Sequence, residues 1–117
     1  MRDFKKLHIW QRGIQIVKAA YQLTNMLHVN EKYNLISQIN RSAVSIPSNI
    51  AEGSSRKSEK DYYRFLEIAL GSCFELETQI LLLSELELAA PSLIADILES
   101  VKIEQQQIST LMNKLHS

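Results

Sequence analysis

Apolar residues recur along this chain at steps of three and four, the spacing of one buried helix face. In the first segment, about Lys5 to Leu27, Leu7, Trp10, Ile14, Val17 and Tyr21 make one stripe. Ile9, Gly13, Ile16, Ala20, Leu23 and Leu27 make a second beside it. Asn30 is the expected cap of a second helix, with Glu31 in its first turn. That helix carries Leu35, Ile36, Ile39, Ala43, Ile46 and Ile50 on one side, a kink expected at Pro47 and a stop at Gly53. Ser58, three residues before Asp61, predicts the cap of the longest helix, about Glu59 to Leu88. Its seam of Tyr62, Leu66, Ala69, Cys73, Leu76, Ile80 and Leu83 is an unbroken heptad, and Tyr63, Leu70, Phe74, Leu81 and Leu88 form a second apolar line. After Pro91-Ser92, Ile94, Ile97, Val101, Ile108, Leu111 and Leu115 define a fourth helix.

Short connections between long helices favour antiparallel neighbours, so the expected fold is all-α, an antiparallel up-down four-helix bundle. Its 117 residues make one domain, residues 1–117, able to bury roughly 65% of its unfolded surface. A bundle helix needs about a three-sevenths apolar face. Helices one and three each show two adjoining stripes, and the surplus points to a homo-oligomer with cyclic symmetry.

Composition adds mainly exclusions. The content is 45% hydrophobic and 22% charged, which is globular rather than disordered or fibrous. The longest apolar run, Ile80 to Leu83, is far short of the ~18 residues of a membrane span. No signal peptide is visible, and a single cysteine fits a reducing cytoplasm, so the expected location is cytoplasmic and away from membranes. Thirteen basic residues balance thirteen acidic ones, but residues 1–60 hold ten basic against four acidic and residues 61–117 three against nine. Such segregation allows a basic face on a neutral body, although oppositely charged segments packed side by side also explain it.

Catalytic chemistry finds little support. There is no Glu-x-x-His pair for a di-iron centre, no zinc spacing and no glycine-rich phosphate loop, so no catalytic residue, metal or cofactor is expected. Arg2 and His8, with five residues between them, resemble a helical ribonuclease spacing, one that arises easily by chance and falls here at the N-terminal end. Cys73 on the seam reads as an inert core thiol.

Two constellations stand out. Arg56, Lys57, Lys60 and Arg64 surround the junction of helices two and three and are the candidate nucleic-acid contacts, with Arg2, Lys5, Lys6 and Arg12 as a second cluster. Cations near a helix C-terminus also complement its dipole. On helix two, Gln38, Arg41, Ser45, Asn49 and Glu52 fall within about 80° of one another on a wheel of 100° per residue. An ordinary solvent face holds more Glu and Lys, so this stripe is expected to form a hydrogen-bond network, with Arg64 or Glu75 of helix three as partners.

The motifs Leu7-x-x-Trp10-Gln11, Gln38-x-x-Arg41-x-x-x-Ser45-Ile46-Pro47-x-Asn49-Ile50-Ala51-Glu52-Gly53 and Arg64-Phe65-Leu66-x-Ile68-Ala69-x-Gly71-Ser72-x-x-Glu75-x-Glu77-Thr78 resemble one family across nearly the whole chain. It is the bacterial four-helix bundle family first noticed as reading frames within intervening sequences of large-subunit ribosomal RNA genes. The resemblance implies a bundle that associates into a five-membered ring. A distant relative, the accessory variability protein of diversity-generating retroelements, is similar to a pentameric barrel that binds nucleic acid and a reverse transcriptase. Gln38, Arg41, Ser45, Asn49, Glu52, Ser72 and Glu75 match polar family positions, and Arg56 falls where a basic residue is usual. The chain departs at Leu27-His28-Val29-Asn30, where the family commonly has a proline, and in its neutral balance beside markedly basic nucleic-acid-binding relatives. Two functions follow as expectations: an oligomeric scaffold for structured RNA or DNA, or a module whose client is another protein.

Overall fold

Local bonds decide where the helices start and stop. The computed structural model describes residues 2–28, 30 and 32–115, residues 32 and 33 by their backbone alone. The first helix, α1 (His8–Thr24), follows a 3-10 turn at Phe4–Lys6, in which Asp3 Oδ1 accepts the Lys5 N–H at 3.2 Å. The second, α2 (Ser37–Ser54), is preceded by a wider π turn at Lys32–Ile36 rather than by a cap at Asn30, which gives its backbone N–H to His28 Nδ1. Glu31, expected in that first turn, lies outside the described residues. Pro47 is buried inside α2, and the helix continues through it.

Ser58 is extended and its Oγ accepts the Asp61 N–H at 3.1 Å, so the expected cap begins α3 (Glu59–Glu85). That helix closes with a 2.9 Å bond from the Leu88 N–H to the Leu83 carbonyl, across Glu87 at φ 55°. Glycine ordinarily takes this left-handed position. Here a glutamate holds it, and Leu88 folds back onto the core. Pro91 then opens α4 (Pro91–Leu115), at a position where its missing N–H costs no helical bond.

No strand occurs among the described residues, and the chain is an all-helical four-helix bundle. Each helix packs against two others, α1 with α2 and α4, and α3 with α2 and α4, in a body of 44 × 21 × 20 Å. Every residue of the α3 heptad seam is buried. On α1 the buried line is Ile9, Gly13, Ile16, Ala20 and Leu23. The other stripe lies at the rim: Leu7, Trp10 and Val17 are partly buried and Tyr21 is exposed, because α1 turns only its central line toward the bundle axis. The second line of α3 divides likewise, with Tyr63, Leu70 and Leu88 half-buried while Phe74 and Leu81 face outward. No helix among the described residues is long and apolar enough to cross a membrane.

Candidate nucleic-acid interface

The junction of α2 and α3 is tight because of Gly53. A Cβ there would lie 2.7 Å from Phe65 Cβ and 3.1 Å from Tyr62 Cδ1, so only glycine lets the end of α2 sit on the first turns of α3. That approach places two aromatic rings directly beneath the cations. The Arg56 guanidinium carbon lies 4.7 Å from the Phe65 ring centroid, and the Arg64 guanidinium reaches the same ring at 5.2 Å. Arg2 stacks 4.1 Å over Tyr62, and its Nη1 donates to the Arg56 carbonyl at 2.9 Å. Each such stack contributes about 0.5–1 kcal/mol at an exposed site and orients the guanidinium edges. Burial raises the Tyr62 hydroxyl pKa, opposed by the Arg2 charge, so the ring stays neutral beside its cation.

The four predicted cations fall into two groups. Arg56 and Lys57 join Arg2 and Ser55 around an open groove of about 690 Å³. Lys60 and Arg64 line a separate groove of about 580 Å³ with Tyr63, Leu115 and three carboxylates, Glu59, Asp61 and Glu67. The first groove is the more basic, although Arg56 also holds Glu52 Oε2 at 2.9 Å. Arg12, grouped by sequence with Arg2, lies elsewhere and bonds Gln107 Oε1. His8 lines a surface groove with Arg12, Gln11, Gln15 and Ser100, whereas Arg2 packs on Tyr62 and Arg56.

Part of the polar stripe converges. Ser72 Oγ donates to the Ile68 carbonyl at 3.1 Å, which leaves Ser45 Oγ to donate to Ser72 Oγ at 2.8 Å. Asn49 Nδ2 completes the chain, donating to Ser45 Oγ at 2.9 Å and the Ser45 carbonyl at 2.8 Å. Gln38, Arg41 and Glu75 remain exposed outside it, Glu52 turns to Arg56, and Arg64 turns to Phe65.

One residue escaped the sequence reading. Glu104 is fully buried, and neither carboxylate oxygen has a hydrogen-bond partner among the described residues. Arg12 Nη1 stands 4.0 Å from its Oε1, and a Cβ on Gly13 would lie 3.4 Å from its Oε2 and 3.2 Å from Pro47 Cβ. Burial pushes the carboxyl up to about 8, with the Arg12 charge pulling it down in part. Cys73 is buried, and burial together with the charges of Glu104 and Glu77 drives its thiol further from ionisation. The signal was a gap: the apolar seam of α4 steps from Val101 to Ile108, and position 104 between them is a core position. Among the described residues, no three His, Cys, Asp or Glu side chains are grouped to hold a metal ion.

Among the described residues the fold is a strand-free four-helix bundle with cations and aromatic rings gathered at one end. The chain belongs to the 23S rRNA-intervening sequence protein family, whose model matches residues 5–114. Among solved structures, it is similar to a protein with unknown function from the S23 ribosomal protein family, from Bacteroides thetaiotaomicron VPI-5482. That fold superposes with a TM-score of 0.82 at 24% identity, over 89% of this chain and 97% of the other. Among curated proteins, no match is found.

Proposed function

We propose that this chain is a non-enzymatic, homo-oligomeric scaffold that binds structured RNA or DNA through the groove of Arg2, Arg56 and Lys57, with Lys60 and Arg64 flanking it. The up-and-down bundle is the repeating unit, a five-membered ring is the assembly that the family resemblance implies, and the cytoplasm is where it acts. The observation that carries this reading is the aromatic backing of the cations. Arg2 on Tyr62, and Arg56 beside Phe65, hold guanidinium groups ordered at a surface with a free lysine next to them. Planar guanidinium edges suit phosphate oxygens. Zero net charge limits attraction to any one groove, so repetition around a ring supplies the affinity through effective concentration.

Fluorescence anisotropy with a structured RNA across a salt series tests it. The Arg56→Ala, Lys57→Ala double variant should bind more weakly and flatten the log K against log salt slope by about one unit for each lost phosphate contact. A slope unchanged by both substitutions removes the assigned residues. The same neutral balance favours a second reading, a protein-only interaction module, and a parent protein that ignores RNA at low salt selects it.

A further inference from the structure

Among the described residues, Glu104 is the only buried Asp, Glu, Lys or Arg, and each neighbouring helix withholds a donor from it. The α1 helix passes it at Gly13, which has no side chain, and α2 at Pro47, which has no N–H. On α3 its charge acts on the Cys73 thiol, which burial keeps from ionising. Glu77, the other carboxylate acting on that thiol, accepts from Gln105 Nε2 at 2.8 Å. Arg12 is the one cation that reaches Glu104 among the described residues.

One nitrogen of Arg12 stands between two acceptors. Its Nη1 donates to Gln107 Oε1 and lies 4.0 Å from Glu104 Oε1, too far for a hydrogen bond. The two acceptors are three residues apart on one side of α4, Gln107 at the surface and Glu104 in the core. A neutral carboxyl holds a guanidinium weakly, whereas a carboxylate in a low-dielectric interior attracts it strongly. The seam above them leaves room for a side chain to move. Of the four neighbouring helix pairs, α1 and α4 are the least closely packed. Ser100 lines two surface grooves along that seam, one shared with His8 and Arg12 and the other with Met26 and Asp96.

We infer that Arg12 is the moving part of a proton-controlled latch between α1 and α4: its guanidinium stays with Gln107 while Glu104 holds a proton, and turns inward onto Glu104 when the carboxyl gives that proton to solvent. The observed arrangement is the open state, with no donor on either carboxyl oxygen. Burial sets the ionisation near pH 8, so the latch is open in acid and closes as pH rises through that value. Closing replaces a surface hydrogen bond by a charge-assisted one beneath it, which offsets part of the cost of burying the charge. It also draws the guanidinium out of the groove that Arg12 shares with His8. The device needs no ligand and is independent of nucleic-acid binding and of assembly.

NMR of the full chain across a pH series tests it, following the Glu104 carboxyl carbon, the Arg12 guanidinium and the Gln107 side-chain amide. All three should change with one midpoint, and Glu104→Gln should hold the Arg12 and Gln107 signals constant. Gln107→Leu, at an exposed position, frees the guanidinium for the carboxylate. It should lower the Glu104 midpoint by at least about half a pH unit, roughly a threefold loss of proton affinity. Arg12→Met should raise that midpoint. His8→Gln, which removes the other titratable group of the groove, should leave all these changes in place. A Gln107 amide that stays constant while Glu104 titrates overturns the latch, as does a midpoint that Gln107→Leu leaves unmoved or a response lost in His8→Gln. Should Arg12→Met lose its helical circular dichroism, Gln107→Leu decides by the same midpoint.

Discussion

Helix α4 carries a carboxylate into the centre of the bundle, while α3, packed beside it, carries Phe74 and Leu82 out to water. Both break the usual distribution of polar and apolar groups, but they are accommodated differently. Glu104 has its compensation inside the chain. Gly13 leaves space for it, Arg12 stands at 4.0 Å, and its raised pKa lets it be neutral when buried. The outward face of α3 has none among the described residues, since Gly71 opens onto empty space and Gln79 Oε1 lacks a donor. A buried charge must be resolved as the single chain folds, because isolated ions in a core cost several kcal/mol. An exposed apolar face costs the folded monomer little and is resolved by whatever covers it.

The largest test of this contrast compares two leucines of α3. Leu76→Ala, on the fully buried seam, should cost about 2–5 kcal/mol of unfolding free energy, whereas Leu82→Ala should cost the unassociated chain less than about 1 kcal/mol. Urea denaturation of dilute protein measures both, and equal losses would erase the distinction between the two sides of α3.

Glu104 comes next. Its folded-state pKa lies above the ordinary 4.5, so the folded chain keeps a proton that the unfolded chain releases. Its contribution to stability is therefore full below about pH 4.5, is lost as pH rises to about 8, and changes no further above that. The span of that loss is on the order of a few kcal/mol. Glu104→Gln keeps the shape without the ionisation, so melting temperatures followed from acid to mildly alkaline pH should show the variant gaining on the parent as pH rises. Parallel curves would mean that Glu104 titrates normally.

The smallest effect concerns the edge between core and surface. Asn49→Ala removes two donated bonds to Ser45 from a half-buried chain of hydrogen bonds and should cost about 1 kcal/mol. A loss as large as that of Leu76→Ala would place this network with the core. No loss would place it with the solvent face.

Periodicity and punctuation alone specified the four helices, the α3 seam and the Ser58 cap, because helix formation and capping depend on neighbours three and four residues away. They also pointed to the cations at the α2–α3 junction, which are close in sequence. Which of two apolar stripes on α1 faces the axis was decided by packing, since both have the same period. The split of Arg56 and Lys57 from Lys60 and Arg64, and the arrival of Arg2 from the N-terminal segment onto Tyr62, were likewise decided in three dimensions. Glu104 shows the boundary most clearly: the seam of α4 marked position 104 as a core position, but only the folded bundle supplies Gly13, Arg12 and Cys73 around it. Spacing along a helix assigns a residue to a face, whereas the partners that make a buried charge tolerable come from other helices, tens of residues away along the chain.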